Sequence, residues 1–201
     1  MNTREKFSIG LLCLGIIAAM LPLSSLSFTV SPKNLMSSIM DEKTYFSVDE
    51  VARFMVSEDS TVKIIDLRSP EEFKEVNIPG SINVPYSEIL DKDPGRFLDR
   101  NIKNIFYSND DLNSGYALAI ATGLNYQNTY VMKGGLNEWF KTVINSSFSG
   151  ERITARENAL FENRLKAKKM FVEINSLPDS MKIKYMEERR TAVKKLDGGC
   201  E

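Results

Sequence analysis

The chain contains no histidine and only two cysteines, and these two scarcities exclude several kinds of chemistry. Without histidine, neither a self-contained Ser-His-Asp or Cys-His catalytic unit nor a histidine-ligated metal site can form. The two thiols are Cys13, in an apolar N-terminal run, and Cys200, next to the last residue. If that run is removed, one thiol remains, and neither an intramolecular disulfide nor a cysteine-rich zinc site is then possible.

The chain also lacks a strong net charge, because 26 basic and 27 acidic residues leave a formal charge of −1. We therefore expect no nucleic-acid partner, since such binding depends on an excess of positive charge. What is present is ordinary for a globular protein, with 42% hydrophobic and 26% charged residues. The length of 201 residues allows one domain with extensions, or two small domains.

Residues 1–28 follow the order of basic, apolar and small residues that is typical of a secretory signal. Arg4 and Lys6 precede an apolar run from Phe7 to Leu23, and Ser27 supplies a small residue for cleavage. The alternative is an uncleaved membrane anchor, because the run approaches the roughly 20 residues that span a bilayer. Both alternatives predict an exported chain in the bacterial periplasm or cell envelope, with at least transient contact between its N-terminus and the membrane.

The middle of the chain alternates short apolar runs with helical patterns. Ser47 with Glu50, and Ser69 with Glu72, have the spacing of capping boxes, which predicts a helix start at each. Such alternation is typical of a parallel sheet that is covered by helices on both faces. The predicted strands are Val62–Leu67, Ser81–Val84, Asn104–Tyr107 and Thr129–Met132.

The pattern changes after residue 149, where the chain becomes helical and basic. Thr154 with Glu157 begins one predicted helix, and Pro178 restarts a second. Residues 146–201 hold 12 basic and 9 acidic residues, a net of +3, whereas residues 28–145 hold 12 and 17, a net of −5. This contrast favours packing of the tail on the rest by charge complementarity. The predicted organisation is a signal or anchor at 1–28, a linker or short helix at 29–44, a domain at 45–145, a two-helix extension at 150–197 and a tail at 198–201.

Three motifs, in order and at suitable spacing, resemble the rhodanese-like domain family. They are IDLRSPEEF at residues 65–73, NIPGSINVP at 77–85 and YVMKGGLNEW at 130–139. The resemblance covers roughly residues 45–142 and implies a rhodanese-like α/β fold: a parallel sheet of about five strands flanked by helices. We expect two additions to that fold in this chain: an N-terminal signal or anchor and a C-terminal two-helix extension. The motif residues are Asp66, Arg68, Glu72, Pro79, Gly80, Gly134, Gly135 and Trp139.

The resemblance places the catalytic cysteine of a rhodanese directly after the strand at 104–107, where this chain has Ser108. In the family, the loop from that cysteine turns backbone N–H groups inward and holds a thiolate or persulfide anion. Asp111 and Asn113 stand where the family is expected to have glycine and arginine. The predicted binding loop is Ser108, Asn109, Asp110, Asp111, Leu112, Asn113 and Ser114.

These substitutions change what the loop can do. A serine hydroxyl is too weak an acid to ionise without a base, and it offers no sulfur atom to carry a persulfide. Asp110 and Asp111 add negative charge where the family holds an anion. We therefore expect no catalytic residue in the loop and no conventional thiosulfate sulfurtransferase activity. The loop is then either a degenerate connection whose Ser and Asp residues cap the next helix, or a recognition loop for a protein or a cationic ligand. A metal site is disfavoured because hard cations need more oxygen ligands than two aspartates supply, and we expect no cofactor.

Cys200 is the remaining candidate thiol, and it follows the glycine pair 198–199 at the end of the chain. It is either an exposed chain end or a mobile thiol that carries a persulfide, pairs with a partner's cysteine or binds a soft metal. The leading hypothesis is that the chain is a catalytically inactive binding module, either exported or anchored in the membrane. Its partner would be a protein, which is either soluble or membrane-associated. The second is a sulfurtransferase or persulfide carrier that uses Cys200. The third is a structural envelope protein whose two-helix extension is the binding part.

Overall fold

The computed structural model of the protein describes residues 30–91, 93–147 and 154–185, together with residues 4, 7, 11 and 12. Its centre is a five-stranded sheet in which every pair of neighbouring strands is parallel. The fold class predicted from the sequence is confirmed. The strands are β1 (Tyr45–Phe46), β2 (Val62–Asp66), β3 (Ile82–Asn83), β4 (Lys103–Tyr107) and β5 (Thr129–Met132), and their order across the sheet is β1-β5-β4-β2-β3.

Helices cover both faces of this sheet. All three predicted capping boxes are present: the side chains of Ser47, Ser69 and Thr154 each accept the N–H of a glutamate three residues later, which accepts a backbone N–H in return. Among the described residues, the most C-terminal helix is α7, which begins at residue 179 and continues to 185, where this part of the description ends. The others are α1 (Pro32–Met40), α2 (Val48–Val56), α3 (Pro70–Glu75), α4 (Leu112–Gly123), α5 (Gly135–Trp139), which continues as a π-helix (Phe140–Ile144), and α6 (Ala155–Asn175).

Two features near the N-terminal edge go beyond the sequence-based prediction. The segment predicted as a linker or short helix contains α1, which packs against α4, and a 3-10 turn at Glu42–Thr44. The two-residue strand β1 follows and pairs with β5. Most of the predicted signal or anchor at 1–28 and all of the tail at 198–201 lie outside the described residues. Within residues 30–91, 93–147 and 154–185, no helix combines the length and the apolar character needed to cross a membrane.

The core lies in two layers, one on each face of the sheet. Successive residues of β2 and β4 point to opposite faces, as the two-residue period of a strand requires. Ile64 and Ile105 therefore join one layer, whereas Ile65 and Phe106 join the other. Because both faces are covered, the central residues of these strands are apolar on both faces, and these short apolar runs are the pattern that identified the strands in the sequence.

The helix α6 belongs to the first of these layers. Ala167 and Phe171 are buried in it, and the Phe171 ring lies 6.0 Å from that of Trp139. Arg164 forms two hydrogen bonds of 2.6 Å with the carboxylate of Asp49 on α2. The predicted domain and its predicted extension therefore share one core, and the Arg164–Asp49 ion pair joins them.

Candidate functional site

The carboxyl ends of the parallel strands meet at one edge of the sheet, where ligand sites of open α/β folds are found. The segment Ser108–Ser114 follows the central strand at this edge, and its last three residues are the first three of α4, so the helix begins earlier than the predicted loop implied. We call this segment the β4–α4 loop. It lies between the glycine turn Gly134-Gly135 after β5 and the segment after β2 that leads into α3. The structure thus brings the predicted binding loop and most of the predicted motif residues to one place.

The glycine turn forms the back wall of the loop. Gly134 and Gly135 have φ angles of +76° and +57°, a conformation that side chains with a Cβ rarely adopt. A Cβ on Gly135 would lie 2.6 Å from the Ser108 carbonyl oxygen and 2.7 Å from the Asn109 carbonyl carbon. The Leu136 N–H donates to that Ser108 oxygen at 2.8 Å. Glycine is therefore required at 135 by a close approach of two backbones.

Ser108 itself is buried, with 3% of its surface exposed. Its hydroxyl donates to the backbone carbonyl of Asp110 at 2.8 Å. An anion-binding loop turns N–H groups toward its centre, and a carbonyl that faces the same point repels negative charge. The Ser108 hydroxyl is therefore bonded within the loop itself.

The two aspartates of the loop play different structural roles. Asp110 accepts the Leu112 N–H at 3.0 Å and so caps the start of α4. Asp111 is the N-cap residue of α4, but its carboxylate accepts the Gly134 N–H at 2.5 Å and thus ties the loop to the glycine turn. Both side chains are exposed, and neither forms an ion pair with a basic residue of the described chain. Burial and the charge of Asp111 raise the pKa of the Tyr45 hydroxyl, in that order of size.

At the far end of the loop, Ser114 is fully buried. Its hydroxyl has no hydrogen-bond partner within the described residues. The position matches the small polar residue that the family resemblance predicts at the opening of this helix. The same described set contains no group of three or more His, Cys, Asp or Glu side chains arranged to hold a metal ion.

The helix α3 supports the loop from the other side. The Asn109 side chain donates to Glu72 at 2.8 Å, and the second oxygen of Glu72 accepts the Ser69 N–H at 3.1 Å. These two bonds, led by that from Asn109, lower the pKa of Glu72, and the charge of Arg68 adds to the effect. The glutamate of a capping box thus also fixes the β4–α4 loop.

Beneath the loop lies a buried ion pair between the motif residues Asp66 and Arg68. Their side chains approach to 2.6 Å at 0% and 4% exposure. The Arg68 guanidinium also donates to the Val76 carbonyl at 2.6 Å. Burial opposes the charged form of Arg68, but the hydrogen bonds to Asp66 and its charge outweigh this and raise the Arg68 pKa. The pair fixes the end of β2 to the end of α3.

Tyr107, the residue directly before the loop, continues this buried network. Its hydroxyl accepts the Ile78 N–H and lies 3.1 Å from the Ser81 hydroxyl. It thereby holds the turn in which Gly80 has a φ of +84°. Burial, followed by the charge of Asp66, raises the pKa of Tyr107 well above its ordinary value, so the phenol stays neutral. Sequence reasoning assigned Tyr107 only to a buried strand, because a tyrosine in an apolar run gives no signal that its hydroxyl serves a turn.

Not every predicted residue lies at the loop. Trp139 is fully buried in the core, where it joins α5 to the sheet and to Phe171, and its indole N–H has no partner within the described chain. Pro79 and Gly80 form the turn that Tyr107 holds. Cys200 lies outside the described residues.

Comparison with known proteins agrees with this geometry. The family model described as the rhodanese-like domain matches residues 47–142. The thiosulfate:glutathione sulfurtransferase of Saccharomyces cerevisiae is 32% identical over 105 residues, which are 47% of this chain and 76% of that protein.

Two solved structures resemble this fold. An uncharacterised protein from Saccharomyces cerevisiae is 30% identical, with a TM-score of 0.44 over 49% of this chain and 91% of its own. A human single-domain sulfurtransferase is 24% identical, with a TM-score of 0.41 over 49% of this chain and 96% of its own. The extent and identity of the match to the yeast sulfurtransferase, together with the family motifs, establish that the chain belongs to the rhodanese-like family.

Proposed function

We propose that the chain is a rhodanese-like module that binds a partner at its β4–α4 loop and does not transfer sulfur there. The observation that carries the proposal is the state of Ser108. The residue stands where the family resemblance places a catalytic cysteine, and its hydroxyl is bonded to the Asp110 carbonyl at 2.8 Å.

The chemistry of sulfur transfer supports the same conclusion. A persulfide intermediate needs a sulfur atom at the loop, and a thiolate needs positive or N–H-rich surroundings. The described residues contain neither cysteine nor histidine, and the loop carries two exposed carboxylates. Thiosulfate is a dianion, so Asp110 and Asp111 oppose its approach by like-charge repulsion.

The exposed chemistry of the loop favours a basic partner with some apolar surface. Asp110 and Asp111 offer carboxylates without an ion-pair partner in the described chain. Leu112 and Tyr116, one helical turn apart on α4, are 59% and 52% exposed. Exposed apolar side chains that are rimmed by polar residues mark protein interaction sites.

Two measurements test this function. In a thiosulfate:cyanide assay with the full chain, we expect no thiocyanate above background and no +32 Da persulfide in intact-mass spectra. Turnover, or a persulfide on Cys200 that disappears in Cys200→Ser, would overturn the proposal in favour of a sulfurtransferase.

The binding half of the proposal needs a positional test in the native host. A photo-crosslinking amino acid at Leu112 is expected to give a discrete adduct that Asp110→Lys/Asp111→Lys removes. The control is the same amino acid at Ser60, an exposed residue that precedes β2 at the opposite edge of the sheet. Equal labelling from both positions would show that the loop has no specific partner.

We also propose that residues 1–28 direct the chain out of the cytoplasm. The proposal is supported by the basic start and the apolar run of that segment. Fractionation of host cells is expected to place the chain in the envelope, and deletion of residues 2–28 is expected to retain it in the cytoplasm. Equal distribution of both forms would contradict export.

A further inference from the structure

Asn175, the last residue of α6, pairs with the backbone of Asn77. Its side-chain oxygen accepts the Asn77 N–H at 3.0 Å, and its side-chain nitrogen donates to the Asn77 carbonyl at 2.8 Å. One amide thus satisfies both backbone groups of one residue, as an antiparallel strand partner does. Because Asn77 is only 6% exposed, loss of the pair would leave two backbone groups of a buried residue without these partners.

The residues on either side of this pair are fixed from within the rhodanese-like domain. The Val76 carbonyl accepts the Arg68 guanidinium at 2.6 Å, and the Ile78 N–H donates to the Tyr107 hydroxyl at 3.1 Å. Both of these side chains belong to the stretch that the family model matches, whereas α6 lies beyond it. The extension therefore supplies one of three distant side chains that hold the chain where α3 ends.

The end of α6 is a firm support for the pair. Phe171, one helical turn earlier, is buried and packs against the rings of Trp139 and Phe140. The Asn175 side chain also donates to the Phe171 carbonyl at 2.9 Å, which restricts its rotation. The position of the Asn175 amide is therefore determined by the core of the protein.

The helix α3 connects this support to the β4–α4 loop. Glu72, in its first turn, accepts the Asn109 side chain of the loop at 2.8 Å. The Val76 N–H, directly before the residue that Asn175 binds, donates to the Glu72 carbonyl at 3.1 Å. The helix has six residues and is only about 9 Å long, so a shift of one end moves the other.

The second helix of the extension adds only a weak contact to α3. Lys74 forms an ion pair of 2.8 Å with Asp179 on α7, but both side chains are more than half exposed. Exposed pairs contribute little to stability, because water and salt screen them. Lys182 of α7 donates to the Lys74 carbonyl at 3.3 Å, which is longer than most N–H···O bonds. Asn175, which binds a buried residue, is therefore the stronger link between the extension and α3.

We infer that Asn175 is a positioning residue of the β4–α4 loop: it fixes the end of α3, and α3 presents Glu72 to Asn109. The inference rests on the proposed function, because it makes the extension a support of the proposed binding loop. The order of the loop then depends on a helix that lies outside the family-matched stretch. Because coupling between sites is reciprocal, a partner that binds the loop also stabilises the docking of α6.

Hydrogen exchange of the full chain, measured by mass spectrometry, tests this role. The N–H groups of Leu136 and Asn137 donate to two carbonyls of the loop at 2.8 and 3.1 Å, so they exchange when the loop leaves the glycine turn. In Asn175→Ala, peptide 134–139 is expected to exchange about tenfold faster, the effect of losing about one hydrogen bond. Asn158→Ala, which removes an exposed asparagine from the same helix, is the matched control and should leave the rate unchanged.

A second background separates loop positioning from a general loss of stability. In Asn109→Ala the loop is no longer bonded to α3, so adding Asn175→Ala should not accelerate exchange of peptide 134–139 further. Equal acceleration in both backgrounds would show that Asn175 acts only through overall stability and would overturn the inference, as would no acceleration in the parent. Asn175→Asp keeps the size of the side chain and the acceptor for the Asn77 N–H, so it replaces the alanine variant if that fails to fold. The same dependence on the background is expected.

Failure of the inference is distinguishable from failure of the proposed function, because the exchange measurement needs no partner. With the photo-crosslinking amino acid at Leu112, Asn175→Ala is expected to lower the yield of the partner adduct about fivefold. Asn158→Ala should leave the yield as it is. If exchange accelerates but the parent forms no adduct, the proposed function fails and the positioning role stands. An adduct whose yield Asn175→Ala does not change would contradict the link between Asn175 and binding.

Discussion

Tyr107 and Ser108 are neighbours in the sequence, yet they belong to regions that differ sharply. On the Tyr107 side lies a buried frame of Asp66, Arg68 and the Ile78–Ser81 turn, in which almost every polar group has a partner. On the Ser108 side lies a loop whose hydroxyl is bonded internally and whose carboxylates face solvent. The frame is that of a rhodanese-like protein, whereas the loop has Ser108 where the family resemblance places a cysteine.

The buried frame and the loop can change independently because substitutions in them differ in their cost in stability. A buried ion pair that loses one partner leaves an uncompensated charge in the core. Exposed loop residues can change at a smaller cost in stability, because water solvates the groups that their hydrogen bonds leave unpaired. The family's frame can therefore persist beneath a loop with a different function.

The largest expected effect is the loss of stability when the buried Asp66–Arg68 ion pair is removed. Arg68→Met strands the buried Asp66 carboxylate and is expected to lower the free energy of unfolding by about 3–5 kcal/mol in urea titrations. Lys141→Met removes an exposed lysine and should change stability by no more than about 0.5 kcal/mol. A loss below about 1 kcal/mol for Arg68→Met would show that the pair is not part of a rigid frame.

The second largest expected effect is the loss of stability when a core side chain of α6 is removed. Phe171→Ala removes a buried ring between Trp139 and Phe140 and is expected to cost about 3 kcal/mol. Val172→Ala, on the exposed side of the same helix, is the control and should cost less than about 1 kcal/mol. Similar small losses of stability in both variants would show that α6 does not belong to the core.

The third effect concerns the contact between the two regions. Gly135→Ala places a Cβ against the Ser108 and Asn109 backbone at a positive φ, which is expected to cost about 1–3 kcal/mol. Gly115→Ala is the matched control, because a Cβ there meets nothing within 4 Å. Since Gly115 is helical, that change should stabilise the protein by about 0.5–1 kcal/mol. Equal effects would refute the close approach.

The smallest effect is the pH dependence that Glu72 contributes. Its pKa is lowered in the folded state, so its contribution is present above the ordinary glutamate pKa and is lost as pH falls through the lowered value. Glu72→Gln should therefore flatten the acid side of the stability profile, where the pH falls below the ordinary glutamate pKa. Glu71→Gln, which removes an exposed carboxylate from the same helix, is the matched control variant. An unchanged slope in Glu72→Gln would exclude the link through Asn109.

Much of the fold follows from local sequence. The capping boxes at Ser47, Ser69 and Thr154 and the apolar strands rely on residues close together in the chain, and each is present in the structure. The strand β1 was not predicted because two residues are too short to show a period, and its pairing with β5 depends on residues far along the chain. The place of Phe171 in the core is likewise a long-range property.

The site was predictable in position but not in bonding. The family motifs locate Ser108 and the two aspartates from sequence alone. That Asp110 caps α4 while Asp111 binds the Gly134 N–H depends on backbone angles that residue type does not determine. The support of the loop by Glu72 needs the spatial meeting of two segments 37 positions apart.

The most direct test of the central claim restores the family's residues to the loop. We predict no thiocyanate production from thiosulfate and cyanide by the parent chain and little by Ser108→Cys, because the aspartates still repel the donor. Ser108→Cys with Asp111→Gly and Asn113→Arg is predicted to exceed Ser108→Cys by at least about tenfold, or 1.4 kcal/mol in the barrier. Turnover by the parent chain that equals that of the triple variant would contradict the account.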